Sequence, residues 1–135
     1  MKFPEEFIKK GDFTLHSGKK TDIFYDVNAL LTNRHYFEII INSVPIGNLT
    51  YVGIATGGAI IAGHFTPFAM IKDAELNGVV EGEYCLVDDV CTTERSLREA
   101  IQIIGRNPKC IFVVVDRRRT KNLNLESLFD IGDIE

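Results

Sequence analysis

Cysteine is scarce and poorly placed for a covalent framework. The chain has three, Cys85, Cys91 and Cys110, an odd number with no C-x-x-C pair. Cys85 and Cys110 lie inside apolar runs and are expected as reduced core residues. His16, His35 and His64 do not cluster with them at ligand spacing, which argues against a zinc site. No stretch reaches about 18 uninterrupted apolar residues, so nothing is expected to span a membrane. The opening MKFPEEFIKKGD lacks an apolar signal region, and the expected location is the cytoplasm. Positive charge is also short: 15 Lys and Arg against 19 Asp and Glu give a net charge of -4. An overall field for nucleic acid is therefore lacking, and no nucleic-acid partner is expected. A basic cluster does occur at Arg117, Arg118, Arg119 and Lys121. A solvated loop after a strand and a binding role both remain open for it. Repeats, linkers and low-complexity tracts are missing. The loop G-x-x-x-x-G-K-[ST] is absent, which excludes a P-loop NTPase, and no G-x-G-x-x-G follows a strand, which weakens a dinucleotide reading.

What is present suits one domain, residues 1–135, with one core. Hydrophobic residues at 45% and charged ones at 25% match an ordinary globular chain. A chain of this size buries roughly two-thirds of its unfolded surface and needs no metal or disulfide to fold. Pro4 to Lys10 is expected as a short helix, with proline at its start and Gly11 at its end. GDFTLHSGKKTDIFYD reads as two extended pieces joined by the turn Ser17-Gly18-Lys19-Lys20. Asn33 can cap a helix through about Val44, with Phe37, Ile40, Ile41 and Val44 on one face. Strand and helix then alternate. Strands are expected at Tyr51 to Ala55, Phe68 to Ile71, Tyr84 to Val87 and Cys110 to Val115. Helices are expected at Gly57 to Phe65 and from about Thr93 to Ile104, and Lys72 to Gly82 reads as a loop. The strands are continuous apolar runs, the pattern of a parallel sheet covered on both faces. An open α/β sheet with right-handed crossovers follows, and ligands of such sheets bind beyond the carboxyl ends of the strands.

The segment YCLVDDVCTTERSLREAI carries most of the chemistry. An apolar strand runs into Asp88 and Asp89, and the hydroxyl-rich turn Thr92-Thr93-Glu94-Arg95-Ser96 leads into a helix with an apolar stripe of Leu97, Ala100, Ile101 and Ile104. Adjacent strand side chains point to opposite sides, so the two acids cannot play identical roles. Carboxylates at a strand end can accept from sugar hydroxyls or hold magnesium through water. The helix start offers amides and a positive dipole end to a phosphate, and Thr92, Thr93 and Ser96 add hydroxyl donors. The constellation fits a ribose phosphate lying across the turn. A plain structural role also stays open, with Thr93 capping the helix and the acids solvated.

VDDVCTTERS resembles the phosphoribosyl pyrophosphate (PRPP) signature of type I phosphoribosyltransferases. Three further segments, in order, resemble orotate phosphoribosyltransferase: GDFTLHSGKKTDIFYD, GIATGGAIIAG and FVVVDR. The tail LNLESLFDIGDIE is similar to that family's closing segment. The resemblance implies the type I phosphoribosyltransferase fold: a mostly parallel central sheet flanked by helices, with a small N-terminal hood. It implies transfer of phosphoribosyl from PRPP to orotate, with Mg2+ bound mainly through PRPP, and a homodimer. By position, Asp88 and Asp89 would hold the ribose hydroxyls. Thr92, Thr93, Glu94, Arg95 and Ser96 would form the 5-phosphate turn, with Thr92 also near the base. Thr56, Gly57 and Gly58 would face pyrophosphate, where glycine lets amides approach an anion; a turn with no ligand is the alternative. Ser17 and Gly18, with Phe24 and Tyr25, would border the orotate, although the two aromatics also suit a core. Arg117 would pair with the orotate carboxylate, for which a planar guanidinium is well shaped; a surface arginine is the alternative. Lys72 would be the catalytic lysine beside Asp88 and Asp89.

Two places depart from the family's pattern. Where that family has a mobile loop resembling R-K-E-x-K-x-H-G, this chain has Ile71-Lys72-Asp73-Ala74-Glu75-Leu76-Asn77-Gly78. Lys72 remains, while Ile71, Glu75 and Asn77 replace cationic positions. Losing one well-placed stabilising donor costs about a hundredfold to a thousandfold in rate. The second departure is Glu94, where glycine is usual. A carboxylate about 4 Å from a phosphate charge would be repelled by roughly 4 kcal/mol at an effective dielectric near 20, unless it turns to solvent or Arg95 compensates. These departures motivate two alternatives: a lapsed module that binds PRPP or a nucleotide without turnover, and a transferase for another base.

Overall fold

The computed structural model describes residues 2–14, 18 and 20–131. Pro4 opens only a single 3-10 turn, Glu5–Phe7. The helix expected to run on to Lys10 is instead the strand β1, Ile8–Thr14, paired antiparallel with β2, Lys20–Tyr25. Lysines on an exposed two-stranded flap read equally well as a polar helix face, so the period was ambiguous there. Asp26 caps α1, Val27–Leu31, by accepting from the Ala29 amide at 3.0 Å. Asn33 caps α2, Arg34–Ser43, through the Tyr36 amide.

Next come β3 (Thr50–Ile54), α3 (Gly57–Ala62), β4 (Phe68–Lys72), β5 (Glu75–Asn77), β6 (Tyr84–Cys91), α4 (Arg95–Ile104), β7 (Cys110–Asp116) and β8 (Glu126–Asp130). The second sheet has the order β5-β4-β3-β6-β7-β8. All its neighbours are parallel except β4 and β5. Both faces are covered. Val87, Phe112 and Val114 pack with α1 and α2, while Leu86, Ile111 and Val113 pack with α4. That double burial is why the strands read as unbroken apolar runs.

The connection from β3 leads to β4 on one side, and that from β6 leads to β7 on the other. The carboxyl ends of β3 and β6 therefore flank a topological switch point, where an open α/β sheet leaves a crevice.

The 72–82 segment is not a plain loop. Lys72 pairs with Glu75 across a two-residue turn of Asp73 and Ala74, both at positive φ (51° and 61°). Such a turn matches the twist of the flanking strands and closes a tight hairpin. The favoured Asn-Gly or Asp-Gly pair is absent, which hid the hairpin from the sequence. Ile71 is buried against α4, which accounts for an apolar residue there.

Candidate active site

β6 loses β3 as a neighbour after Val87 but continues beside β7 to Cys91. Asp88 and Asp89 sit on this extension, past the strand end expected at Val87. Oδ1 of Asp88 accepts from the Asp89 amide at 2.8 Å, and Oδ1 of Asp89 accepts from the Val90 amide at 2.7 Å. Each side chain leans along the strand to the next amide. Both carboxyls consequently line one cleft, although adjacent positions ordinarily alternate. Their surroundings still differ. Asp88 is buried, and Asp89 is half-buried. Burial, then the charge and hydrogen bond of Asp89, push the Asp88 carboxyl well above its ordinary range. Two carboxyls in one site resist ionising together.

The turn after β6 reaches the same cleft through Thr92, Thr93, Arg95 and Ser96. The amides of Arg95, Ser96 and Leu97 form the first turn of the ten-residue α4 and so have no partner within the helix. Thr93 makes no cap. Glu94, not Thr93, precedes the first helical residue, and it is left-handed, with φ 66° and ψ 2°. Positive φ favours glycine, which gives a backbone reason for the glycine usual at this place in the resembling family.

Glu94 neither turns to solvent nor relies on Arg95. It is 3% exposed. Its Oε2 accepts from Arg118 Nη1 (2.6 Å) and from the Asn122 and Leu123 amides (2.8 and 2.9 Å). Its Oε1 accepts from Arg98 (2.9 Å). Burial alone would raise its pKa, but the two amides and two guanidiniums outweigh it and hold the carboxyl down at about 2. The basic cluster accordingly divides. Arg117 and Arg118 are buried, while Arg119 and Lys121 are exposed, with Lys121 paired to Asp130 at 2.7 Å.

Another wall of the cleft is aromatic and cationic. Phe24, Tyr25 and Arg117 line the cleft. Arg117 is 3% exposed, so the surface alternative fails. Its guanidinium lies 4.8 Å from the centre of the Tyr25 ring, and Nη1 reaches the Ile23 carbonyl at 3.5 Å. Phe24 stacks on Phe13, while Tyr25 also meets Phe3 edge-on.

The Thr56-Gly57-Gly58 turn lies against the acid strand without lining the main cleft. A Cβ on Gly58 would sit 2.4 Å from the Val87 carbonyl, and one on Gly57 would sit 2.8 Å from Asp89 Cβ. The two glycines thus seat α3 directly on β6. Ala55, just before the turn, borders a neighbouring hollow that shares Ser96 with the cleft.

Lys72 and Glu75 are exposed on the hairpin and do not line the cleft. Gly18 is exposed and does not line the cleft, and Ser17 lies outside the described residues. Sequence reasoning missed Val27 and Asn28 of α1, which also line the cleft, as do Thr14 and Val90. The available signal was Asp26 before a short apolar run, a helix start. It also missed Arg118 as the buried partner of Glu94.

The chain is 32% identical to the orotate phosphoribosyltransferase of Pyrococcus horikoshii, over 90% of this chain and 79% of that protein. It is 31% identical to the orotate phosphoribosyltransferase of Methanosphaera stadtmanae, over 82% and 75%. Among solved structures, it is similar to the orotate phosphoribosyltransferase of Aeropyrum pernix, with a TM-score of 0.70, 25% identity and 83% and 77% coverage. The adenine phosphoribosyltransferase of Rhodothermus marinus shares the fold, with a TM-score of 0.65 at 12% identity and coverage of 94% and 96%. No protein-family model matches the chain.

Proposed function

The chain belongs to the orotate phosphoribosyltransferase family, and from that premise we propose that it transfers phosphoribosyl from PRPP to orotate, forming orotidine 5'-phosphate and pyrophosphate in pyrimidine biosynthesis. The observation that carries the reading is the sharing of one cleft by an acid pair, a helix-start turn and an aromatic wall bearing a buried arginine. The bond from ribose C1 to pyrophosphate breaks, the bond to the orotate ring nitrogen forms as that nitrogen loses its proton to solvent or to the departing pyrophosphate, and positive charge builds on the sugar between them. Asp88 and Asp89 hold the ribose hydroxyls. The amides at the start of α4, with Thr92, Thr93 and Ser96, hold the 5-phosphate. Arg117 pairs with the orotate carboxylate while Phe24 and Tyr25 border the ring. Pyrophosphate would lie toward the neighbouring hollow that Ala55 borders, beside the Thr56-Gly57-Gly58 turn.

Among the described residues no group of three or more potential ligands forms a protein cage for a metal. The adjacent pair Asp88 and Asp89 suits a hydrated ion carried in on PRPP. Mg2+ bound this way would offset charge on the departing pyrophosphate. We place the enzyme in the cytoplasm as a homodimer, which sedimentation at micromolar concentration would test. No described helix is long and apolar enough to cross a membrane.

The test is incubation of purified protein with orotate, PRPP and Mg2+. Loss of orotate matched by release of pyrophosphate is expected. PRPP binding by calorimetry without turnover would support a lapsed binding module instead. The observation favouring that second reading is the tight hairpin that keeps Lys72 out of the cleft, leaving Arg95 and Arg117 as its described cations. Turnover of uracil or a purine in preference to orotate would point to another base.

A further inference from the structure

The residue just before the ten-residue α4 is one that the backbone there disfavours. Glu94 takes a left-handed conformation open to glycine without strain. A side chain persists there in an ion network whose centre is buried and whose edges, Arg98 and Lys121, reach solvent, and a strained residue at a site is a reason to look for function. Asp116, at the end of β7, grips Arg118 with both carboxylate oxygens. Its Oδ1 accepts from the Arg118 amide (3.0 Å) and Nε (2.9 Å), and its Oδ2 accepts from Nη2 (2.9 Å). The remaining nitrogen, Nη1, donates to Glu94 Oε2 (2.6 Å) and to the Leu123 carbonyl (2.7 Å). Glu94 then collects the amides of Asn122 and Leu123. All three charged side chains are 3% exposed.

The network joins two parts of the cleft that are distant in sequence. Glu94 lies between Thr93 and Arg95 of the phosphate turn. Arg118 directly follows Arg117 of the base wall, whose own amide donates to the Cys91 carbonyl at 2.8 Å, just before that turn. A planar fork held at both ends fixes direction as well as distance. We propose that Glu94, Arg118 and Asp116 are positioning residues: a buried brace that sets the phosphate turn and the base wall at a common spacing, so that one substrate subsite depends on the other. A stabilising ion cluster with no such role would leave the subsites independent. Buried ion networks are weak evidence for stability, because desolvation offsets much of the attraction.

The inference rests on the transferase reading, and its test separates the two. Wild-type protein is compared with Glu94→Gly, which suits the backbone but deletes the carboxylate, and with Glu94→Gln, which keeps an oxygen for the Asn122 and Leu123 amides. Arg118→Lys, which keeps the charge but loses the fork, serves if Glu94→Gly does not fold. Amide hydrogen exchange is read over 92–97 and 117–123, and KM is read for PRPP and orotate separately from kcat. The brace predicts faster exchange in both segments together for Glu94→Gly or Arg118→Lys. It also predicts a KM rise of about tenfold for orotate as well as PRPP, as expected of coupled neighbours, with Glu94→Gln recovering most of it. Faster exchange confined to 92–97, with an unchanged orotate KM, would overturn it. If the wild type shows no turnover, the transferase reading fails by itself, and exchange at 117–119, away from the Asn122 and Leu123 amides that Glu94 itself binds, still decides the brace: faster exchange there together with 92–97 supports it, and unchanged exchange there overturns it.

Discussion

Asp88 is unfavourable to the ligand-free protein. Its folded pKa lies well above the ordinary 3.8, first through burial and then through Asp89. A carboxyl that binds its proton more tightly when folded stabilises in acid, and that stability is lost as pH rises above the ordinary value. Asp88→Asn mimics the protonated acid, so its melting temperature should exceed the wild type's by more at pH 8 than at pH 4. Activity should fall by about a hundredfold or more; an equal difference in melting temperature at both pH values would contradict the account. Glu94 has the opposite sign. Its pKa is depressed from 4.5 to about 2, so its contribution is full above 4.5 and is lost as pH falls toward 2. At Arg117, replacement by lysine keeps a charge but not a planar fork. Initial-rate kinetics of Arg117→Lys should show the orotate KM raised about 10- to 100-fold with the PRPP KM little changed; a larger PRPP effect would move Arg117 away from the base. The acid pair stood out in the sequence because it follows an apolar run, and Arg117 because FVVVDR resembles a family segment. The fate of Glu94 was not, because its partners Arg118, Asn122 and Leu123 lie 24 to 29 residues away.

Among the elements, the strand-to-helix units from β3 to β7 could be read with small boundary errors, since long apolar runs and the amphipathic stripe of α4 carry their own period. Short elements could not. α1 has five residues, and β5 has three and exists only by pairing with β4. The β4–β5 hairpin bears directly on mechanism, because it holds Lys72 outside the cleft. Lys72→Ala should lower kcat by less than about threefold, in contrast with the hundredfold or greater loss typical of a transition-state donor. A loss of that larger size in steady-state kinetics would mean that Lys72 serves another subunit's cleft. The α3 start is constrained in a different way. Gly58→Ala puts a methyl 2.4 Å from the Val87 carbonyl, on backbone that cannot yield cheaply. Urea unfolding should show a loss of about 1–3 kcal/mol, and a change within a few tenths would show that α3 can lift off β6 freely.

At the scale of the whole molecule, the sheet order places the cleft. β3 and β6 send their connections to opposite sides, and the acids, the glycine turn and the start of α4 converge where those strands part. The parallel core was readable because both faces of its strands are buried. The order of the strands, and the closing of the base wall by Arg117 over Tyr25, needed coordinates, since pairing across a sheet leaves little trace in a single sequence. The most direct test of the account is a crystal structure of the protein soaked with PRPP and Mg2+. The account predicts ribose hydroxyls within hydrogen-bond distance of Asp88 and Asp89, with the 5-phosphate on the amides of Arg95, Ser96 and Leu97. PRPP bound elsewhere, with the acid pair still turned onto its own strand and no ligand in the cleft, would contradict it.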